Sequence, residues 1–193
     1  MLDIEPFLQV KRDSTSGFRF ITTGALIPRK NHSMLLDAFA ALHSEHNDTY
    51  LGIIGEGCLD QSLKKQAKSL GIADAVTFYG WVSHSEMAKI YSSYDCFVFP
   101  SWIETFGVAL AEAMAAGMPV IAARCGGPED FVREDDGILT QPGNLAELTG
   151  AMRKMYHSRA QYDGAKIRAY TAENFSPSHI ARKIINVYEE VCR

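Results

Sequence analysis

The chain has 193 residues, which is enough for one domain whose core needs neither a metal nor a disulfide. Its 47% hydrophobic and 22% charged residues are typical of a globular protein, and its formal net charge of -4 argues against nucleic acid as the main partner. No apolar run approaches the roughly 18 residues of a membrane span and no signal-peptide pattern begins the chain, although membrane association of a longer protein stays open.

The cysteines and histidines predict neither disulfides nor a metal centre. The cysteines are scattered without a CxxC pair, at Cys58, Cys96, Cys125 and Cys192. Cys96 lies in the apolar run CFVF, where a buried reduced thiol is expected. The six histidines form no HxxxH or HxH pair. We therefore expect a reducing, cytoplasmic setting and no metal site.

The order of predicted elements indicates the fold class. Residues 1–17 end in a polar, turn-rich run and are predicted to be an interdomain linker remnant, followed by one binding domain over 18–193. Strands are predicted at 18–23, 50–54, 75–79, 96–99, 119–123 and 137–140, with helices at 31–44, 59–70, 84–94, 107–117 and 144–157. Asn31 is the expected cap of the first helix. Because largely apolar strands alternate with helices, we predict an α/β fold, a Rossmann-like doubly wound parallel sheet of about six strands flanked by helices.

The chain after residue 144 is predicted to be helical, with a last helix from Pro177. This helix carries an apolar stripe formed by Ile180, Ile184, Val187, Tyr188 and Val191. The stripe must pack either on this domain or on a second domain.

Ligands of a parallel sheet bind beyond the carboxyl ends of its strands, and several turns of this chain lie there. The residues that directly follow predicted strands are Gly24, Gly55, Gly80 and Pro100. In the GALIPRK segment, Arg29 and Lys30 offer positive charge for a diphosphate, or are simply solvated loop cations. Gly55 and Gly57 flank one residue in a G-x-G turn, but Asp60 replaces the third glycine of a dinucleotide fingerprint, which leaves a plain strand–helix corner as the alternative.

The segment from Pro100 to Glu129 carries the strongest signal for a binding site. Glu104 precedes a predicted helix whose free N–H groups, from Phe106 to Val108, would face an anion. Glu112 lies inside that otherwise apolar helix, where a charge without a function is costly unless it sits on an exposed edge. Two carboxylates accept hydrogen bonds from the hydroxyls of a sugar or ribose.

Two further features of the sequence have alternative interpretations. The Gly126-Gly127-Pro128-Glu129 turn either brings backbone close to a ligand or begins a short helix with proline at its first position. Trp81 and Trp102 could line a base pocket, but packing is the favoured role of both.

Together these segments resemble the C-terminal, donor-binding domain of retaining glycosyltransferases of the GT-B fold, the group 1 family (family 4). The resemblance spans about residues 18–192 and rests chiefly on Glu104 and Glu112, which form an E-x7-E element inside P-S-x-x-E-x-F-G…E-A-M-A-x-G-x-P-V-I. The GALIPRK, GEG, YGWV and GGPE segments also match.

The resemblance implies two catalytic residues, Glu104 and Lys30. Glu104 would hydrogen-bond hydroxyls of the transferred sugar, and Lys30 would contact the departing diphosphate. Glu112 would hold the ribose hydroxyls of the nucleotide. The family commonly has arginine after the first glycine, where this chain has Ala25, and we expect Arg29 to replace part of the missing phosphate contact.

The turns at the sheet edge supply the remaining donor-binding positions that the resemblance implies. The segment around Trp81 and Val82 would border the base, and amides near Phe106 to Val108 would reach phosphate or sugar. The full predicted set is Gly24, Arg29, Lys30, Gly55, Gly57, Trp81, Val82, Glu104, Phe106, Gly107, Val108 and Glu112.

The implied function is retaining transfer of a hexosyl group from a nucleoside diphosphate sugar to an acceptor, without a bound metal. Enzymes of the family are about twice as long, so an N-terminal acceptor domain is missing here, and we expect little or no turnover from this chain alone. Two alternatives stay open. One is a sugar-nucleotide epimerase of the same fold, and the other is a non-catalytic nucleotide-sugar binding module.

Overall fold

The computed structural model describes residues 3–11, 13 and 16–191, and its centre is a parallel β-sheet. The strands are β1 (Phe18–Thr23), β2 (Thr49–Ile54), β3 (Val76–Gly80), β4 (Cys96–Phe99), β5 (Val120–Ala123) and β6 (Gly137–Thr140). They lie in the order β3-β2-β1-β4-β5-β6, and every neighbouring pair is parallel. The predicted Rossmann-like fold is confirmed.

Eight α-helices precede, connect or follow the strands in the described part of the chain. They are α1 (Glu5–Leu8), α2 (His32–Glu45), α3 (Asp60–Ser69), α4 (His84–Tyr91), α5 (Val108–Ala115), α6 (Leu145–Ser158), α7 (Gly164–Phe175) and α8 (Pro177–Val191). The predicted helix bounds hold to within a few residues. The helical region after residue 144 is divided where Asp163 caps α7, because its carboxylate accepts hydrogen bonds from the N–H groups of Ala165 and Lys166.

Apolar side chains cover both faces of the sheet, as the apolar strands predict. One cluster joins strand residues such as Ile21 and Phe97 to α1, α4, α5 and α7, and the other joins Phe20 and Val98 to α2, α3 and α6. Alternate residues of each strand serve opposite faces. Fully buried Cys96 belongs to the second cluster, as predicted, whereas Cys192 lies outside the described residues.

The segment predicted as a linker packs onto the domain in its described part. Ile4 and Phe7 are fully buried against α4 and α5, and the N–H of Asp13 donates to the carbonyl of Ser92. Residues 1, 2, 12, 14 and 15 of the predicted linker lie outside the described residues. Its role as a link to another domain stays a prediction.

The predicted capping role of Asn31 is wrong in its chemistry. Asn31 does precede α2, but it has left-handed backbone angles (φ 56°) and its side chain makes no capping hydrogen bond. The side-chain Nδ2 instead lies 3.5 Å from the Met34 sulfur. The left-handed conformation turns the chain from a short 3-10 segment, Pro28–Lys30, into the helix.

The strand order reverses between β1 and β4, which are neighbours in the sheet but far apart in the chain. Their carboxyl ends diverge into connections on opposite faces, and such a switch point forms a crevice for ligands. No helix in the described part of the chain is both long and apolar enough to cross a membrane.

Candidate functional site

A cavity of about 320 Å³ opens at the carboxyl ends of β1 and β4, where the strand order reverses. Its walls bring both predicted carboxylates together with a lysine and the start of α5. The lining residues are Thr23, Gly24, Ala25, Lys30, Phe99, Glu104, Thr105, Phe106, Gly107, Val108, Ala109 and Glu112.

The loop that follows β5 holds the backbone of Glu104 through both its N–H and its carbonyl. Its N–H donates to the carbonyl of Cys125 at 2.9 Å, and its carbonyl accepts from the N–H of Gly127 at 2.9 Å. A β-carbon at Gly127 would lie 2.4 Å from the Cα of Phe106, so the paired glycines let the two loops touch. The close approach made by the Gly126–Glu129 turn is therefore to the Glu104 loop.

Glu104 and Lys30 form an ion pair within the cavity wall. The Nζ of Lys30 donates to the Glu104 Oε2 at 2.5 Å, and only 14% and 15% of the two side chains is exposed. Burial would raise the pKa of Glu104, but the hydrogen bond and charge of Lys30 outweigh it, assisted by the N–H of Thr105 and the charge of Arg29. The pKa of Glu104 consequently lies below its usual value, so its carboxylate is ionised at neutral pH.

The start of α5 forms the floor of the cavity. Gly107 caps the helix with a left-handed backbone (φ 93°), and the helix begins at Val108. The first N–H groups of a helix have no partner within it, and the helix dipole favours an anion at that end. The predicted position of Glu104, in the loop before this helix end, is confirmed by its placement between β4 and α5.

Glu112 is buried on α5 and faces a histidine of α4. The residue is 5% exposed, and its Oε1 lies 2.8 Å from the Nε2 of His84. Burial raises the pKa of Glu112, the hydrogen bond and charge of His84 lower it, and the charge of Asp3 raises it, with a net rise. The alternative of an exposed helix edge for Glu112 is wrong.

Arg29 lies beside the cavity, on the outer side of the Glu104 loop. Its Nη1 donates to the carbonyl of Ile103 at 2.8 Å and lies 3.5 Å from the Glu104 Oε2, while 47% of its side chain is exposed. The arginine thus supports the loop through Ile103, and its expected contact with phosphate stays a prediction.

The G-x-G turn stands next to the cavity without lining it. A β-carbon at Gly55 would lie 2.1 Å from the carbonyl oxygen of Gly24, and the φ of +135° at Gly55 also favours glycine, so these two turns pack backbone to backbone. Gly57 packs in the same way on the carbonyl of Leu26. The N–H of Trp81 donates to the Glu56 Oε1 at 3.3 Å, which ties the segment around Trp81 to this turn.

The tryptophans are not packing residues of the core. Trp81 is 73% exposed and Trp102 is 48% exposed, so the favoured packing role is wrong for Trp81 and only partly met by Trp102, whose ring lies against Gly143. Val82 is partly buried on the core beside Trp81. Neither Trp81 nor Val82 lines the cavity, and their predicted role beside the base stays a prediction.

Several residues of the site were missed at the level of sequence. Thr23 and Phe99 end the two central strands and line the cavity, and a strand end followed by glycine or proline is a signal that would have found them. His84 has no such signal, since only folding brings it to Glu112. Among the described residues, no group of His, Cys, Asp or Glu side chains is arranged to hold a metal ion.

Comparison with known proteins places this arrangement in a family. The family model described as "Glycosyl transferases group 1" matches residues 4–188, which covers the sheet and the whole cavity. The chain belongs to this glycosyltransferase family. An uncharacterized glycosyltransferase of Methanocaldococcus jannaschii is 30% identical over 169 residues, which are 86% of this chain and 43% of that protein.

Two further similarities agree with this assignment. A GDP-mannose-dependent alpha-(1-6)-phosphatidylinositol monomannoside mannosyltransferase of Mycobacterium tuberculosis is 29% identical over 169 residues, covering 82% of this chain and 44% of that protein. The Anabaena protein HepE, solved in complex with UDP, shares the fold with a TM-score of 0.83 at 22% identity, over 97% of this chain and 55% of that one. This glycosyltransferase chain spans less than half the length of the two curated relatives, and its fold is one half of a GT-B enzyme.

Proposed function

We propose that this chain is the donor-binding half of a retaining hexosyltransferase and holds a nucleoside diphosphate sugar in the cavity between β1 and β4. The observation that carries the proposal is the meeting of Glu104, Glu112, Lys30 and the start of α5 around one cavity. The name of the Mycobacterium tuberculosis relative describes it as GDP-mannose-dependent, and HepE was solved in complex with UDP. These names support a nucleotide-sugar donor, but they do not determine its base.

The positive end of the cavity suits the diphosphate. Lys30 and the N–H groups at the start of α5 present charge and hydrogen-bond donors to the same space. Stabilising the leaving diphosphate lowers the barrier only if these contacts strengthen as negative charge develops on it. Lys30 then releases part of its contact with Glu104, whose carboxylate turns to the hydroxyls of the sugar.

We assign binding of the acceptor and the exclusion of water to a second domain. We propose that the oxygen of an acceptor hydroxyl bonds to the anomeric carbon on the face from which the diphosphate leaves, so that the anomeric configuration is retained. The bond between that carbon and the diphosphate oxygen breaks, and the hydroxyl proton passes to the departing diphosphate oxygen. Closure of a second domain over the cavity would exclude water during this step. Without a second domain, the chain binds the donor weakly and catalyses little or no transfer. The reaction takes place in the cytoplasm and needs no cofactor.

Ligand-observed NMR tests the proposal directly. The wild type and two variants are each mixed with UDP-, GDP- and ADP-sugars in a buffer that contains EDTA. The variants are Glu112→Ala and Glu189→Gln, and the second is a control because Glu189 is exposed on α8. We expect saturation transfer to the ribose and base of one nucleotide, loss of this transfer in Glu112→Ala and its retention in Glu189→Gln. Binding that is equal in all three proteins, or that appears only with added metal, contradicts the proposal.

The chemical step is tested in the longer protein with its N-terminal half present. Retaining transfer predicts a glycosylated acceptor with the donor's anomeric configuration. Free nucleotide and an altered sugar formed without acceptor would identify an epimerase instead. Donor binding without any product would identify a non-catalytic module.

A further inference from the structure

Glu112 lines the cavity from a helix whose other buried residues are apolar or small. Its neighbours on α5 include Leu110, Ala111 and Met114, none of which can donate a side-chain hydrogen bond. A buried carboxylate needs a donor to remain charged. The donor is on another helix, at His84, whose Nε2 lies 2.8 Å from the Glu112 Oε1.

His84 is itself held in place by the start of α4. It is the first residue of that helix, directly after a capping box in which the Ser83 hydroxyl accepts from the Glu86 N–H and the Glu86 carboxylate accepts from the Ser83 N–H. Its ring stands edge-on to Phe7 at 4.8 Å between centroids, and Phe7 is fully buried. The imidazole is therefore oriented by its backbone and by an aromatic neighbour.

The other polar groups near Glu112 do not take the place of His84. The charge of Asp3, before α1, disfavours an ionised Glu112. The hydroxyl of Tyr91, on α4, is paired with the Thr23 hydroxyl at 2.9 Å. Among the described residues, His84 makes the only side-chain hydrogen bond found to Glu112, through Oε1. No side-chain hydrogen bond from a described residue is found at the second oxygen, Oε2, and Glu112 lines the cavity.

We infer that His84 is a positioning residue for donor binding, because it holds Oε1 of Glu112 so that Oε2 meets the ribose hydroxyls of the nucleotide. This inference rests on the proposed function. His84 acts through Glu112 and does not touch the donor itself. Its effect therefore appears in the recognition of the ribose and not in the contacts with the diphosphate.

Deoxynucleotides isolate this effect. The affinities of UDP and GDP, and of their 2′,3′-dideoxy counterparts, are measured for the wild type, His84→Phe, His84→Gln and His84→Asn. The Phe variant keeps a ring against Phe7 but has no donor. A Gln side chain places an N–H close to the former Nε2, whereas an Asn side chain places it near the former Nδ1.

We expect the wild type to prefer the ribonucleotide over its dideoxy counterpart by about tenfold or more, as for a hydrogen bond to a charged group. The preference should fall to about threefold or less in His84→Phe and His84→Asn, and return in His84→Gln. Affinity for the dideoxy nucleotide should stay nearly constant throughout, which a general loss of structure would not produce. A wild-type preference for the ribonucleotide that persists in His84→Phe overturns the inference.

Glu112→Gln, measured beside these variants, separates this inference from the proposed function. If Glu112→Gln abolishes the ribose preference and His84→Phe does not, only the role of His84 is wrong. If instead Glu112→Gln leaves nucleotide binding and the ribose preference unchanged, the proposed donor site is wrong and the inference falls with it. The same holds if the wild type binds neither UDP nor GDP. In ligand-free protein, a carboxyl titration by NMR should show a higher pKa for Glu112 in His84→Phe than in His84→Gln, and equal values would overturn the role of His84.

Discussion

At the scale of single residues, the two carboxylates of the cavity are in opposite electrostatic settings. Lys30 holds the pKa of Glu104 below its usual value against the effect of burial, whereas burial raises the pKa of Glu112 despite its bond to His84. The sequence presents them as a matched pair, eight residues apart. Folding therefore favours the ionised form of Glu104 and makes ionisation of Glu112 more costly.

The raised pKa of Glu112 predicts that Glu112→Gln stabilises the domain near neutral pH. A group whose pKa is higher in the folded than in the unfolded state stabilises below its unfolded pKa, and that contribution is lost as the pH rises through the folded value. The gain of the variant should thus vanish below about pH 4 and grow as the pH rises above that value. Thermal unfolding across pH measures it, since about 1 kcal/mol shifts the Tm by about 2–4 °C in a domain of this size.

Glu104→Gln provides the matched control, with the sign reversed. Its lowered pKa means that the wild-type carboxylate stabilises above the unfolded pKa and that this contribution fades as the pH falls through the folded value. The variant should therefore lower the Tm at pH 7 and approach the wild type in acid. Equal pH profiles for the two variants would contradict the electrostatic assignment of both.

The two cations of the GALIPRK segment should contribute unequally to nucleotide binding. Lys30 lines the cavity, so Lys30→Met should weaken the binding of a nucleoside diphosphate by about tenfold or more. Arg29 is more exposed and points to the Ile103 carbonyl, so Arg29→Ala should weaken it by only about two- to fivefold. Titration calorimetry with UDP and GDP measures both.

Lys64→Met is the control, because Lys64 is exposed and pairs with Asp60 on α3. It should leave the affinity unchanged. Unchanged affinity in Arg29→Ala would show that Arg29 does not replace the arginine expected at Ala25.

At the scale of elements, the position of Glu104 depends on contact between two loops. The loop after β4 and the turn after β5 exchange backbone hydrogen bonds through Glu104, Cys125 and Gly127, which extends the parallel pairing of these strands beyond their ends. The carboxylate is thereby fixed by backbone, and its side chain is left to face Lys30.

Gly127→Ala should disturb both the fold and the site. Its β-carbon would lie 2.4–2.7 Å from backbone atoms of Phe106, so one loop must move. We expect a loss of about 1–3 kcal/mol in the free energy of unfolding together with weaker nucleotide binding. Denaturant unfolding and the nucleotide titration measure the two effects.

Gly150→Ala is the matched control inside α6. A β-carbon there meets no atom within 4 Å, and alanine favours a helix over glycine by about 0.5–1 kcal/mol. This variant should be more stable than the wild type and bind nucleotide equally well. A Gly150→Ala variant that is less stable than the wild type would contradict the packing argument. So would a Gly127→Ala variant that loses neither stability nor nucleotide binding.

At the scale of the whole molecule, the last helix keeps its apolar stripe on the outside. Ile184, Val187 and Tyr188 are 52%, 59% and 67% exposed, although α8 touches α7. The sequence left open whether this stripe packs on this domain or on a second domain. The described part of this domain does not cover it. A continuous apolar patch of this kind favours association.

The isolated chain should consequently self-associate through α8. Sedimentation velocity over a range of concentrations should show a shift to larger species, and Ile184→Lys combined with Tyr188→Lys should remove it. Arg182→Gln, an exposed change on the opposite side of α8, is the control and should behave as the wild type. Identical sedimentation of all three proteins at every concentration would contradict this prediction.

Much of this molecule follows from local sequence patterns. Alternating apolar strands and helices predict a parallel sheet covered on both faces, and strand ends followed by glycine or proline predict where ligands bind. The E-x7-E spacing also identifies Glu104 and Glu112 without knowledge of the fold. These features are readable because periodicity and turn chemistry depend on residues only a few positions apart.

The pairing of side chains at the candidate site was decided by the tertiary structure alone. Lys30 and Glu104 are 74 residues apart and His84 and Glu112 are 28 apart, yet each pair is in hydrogen-bond contact. The first pair meets because β1 lies beside β4, and the second because α4 and α5 pack on one face of the sheet. The alternation of strands and helices does not specify the order of the strands in the sheet. The sequence by itself therefore determines which residue types reach the sheet edge. The three-dimensional packing determines which of these residues meet and how each is charged.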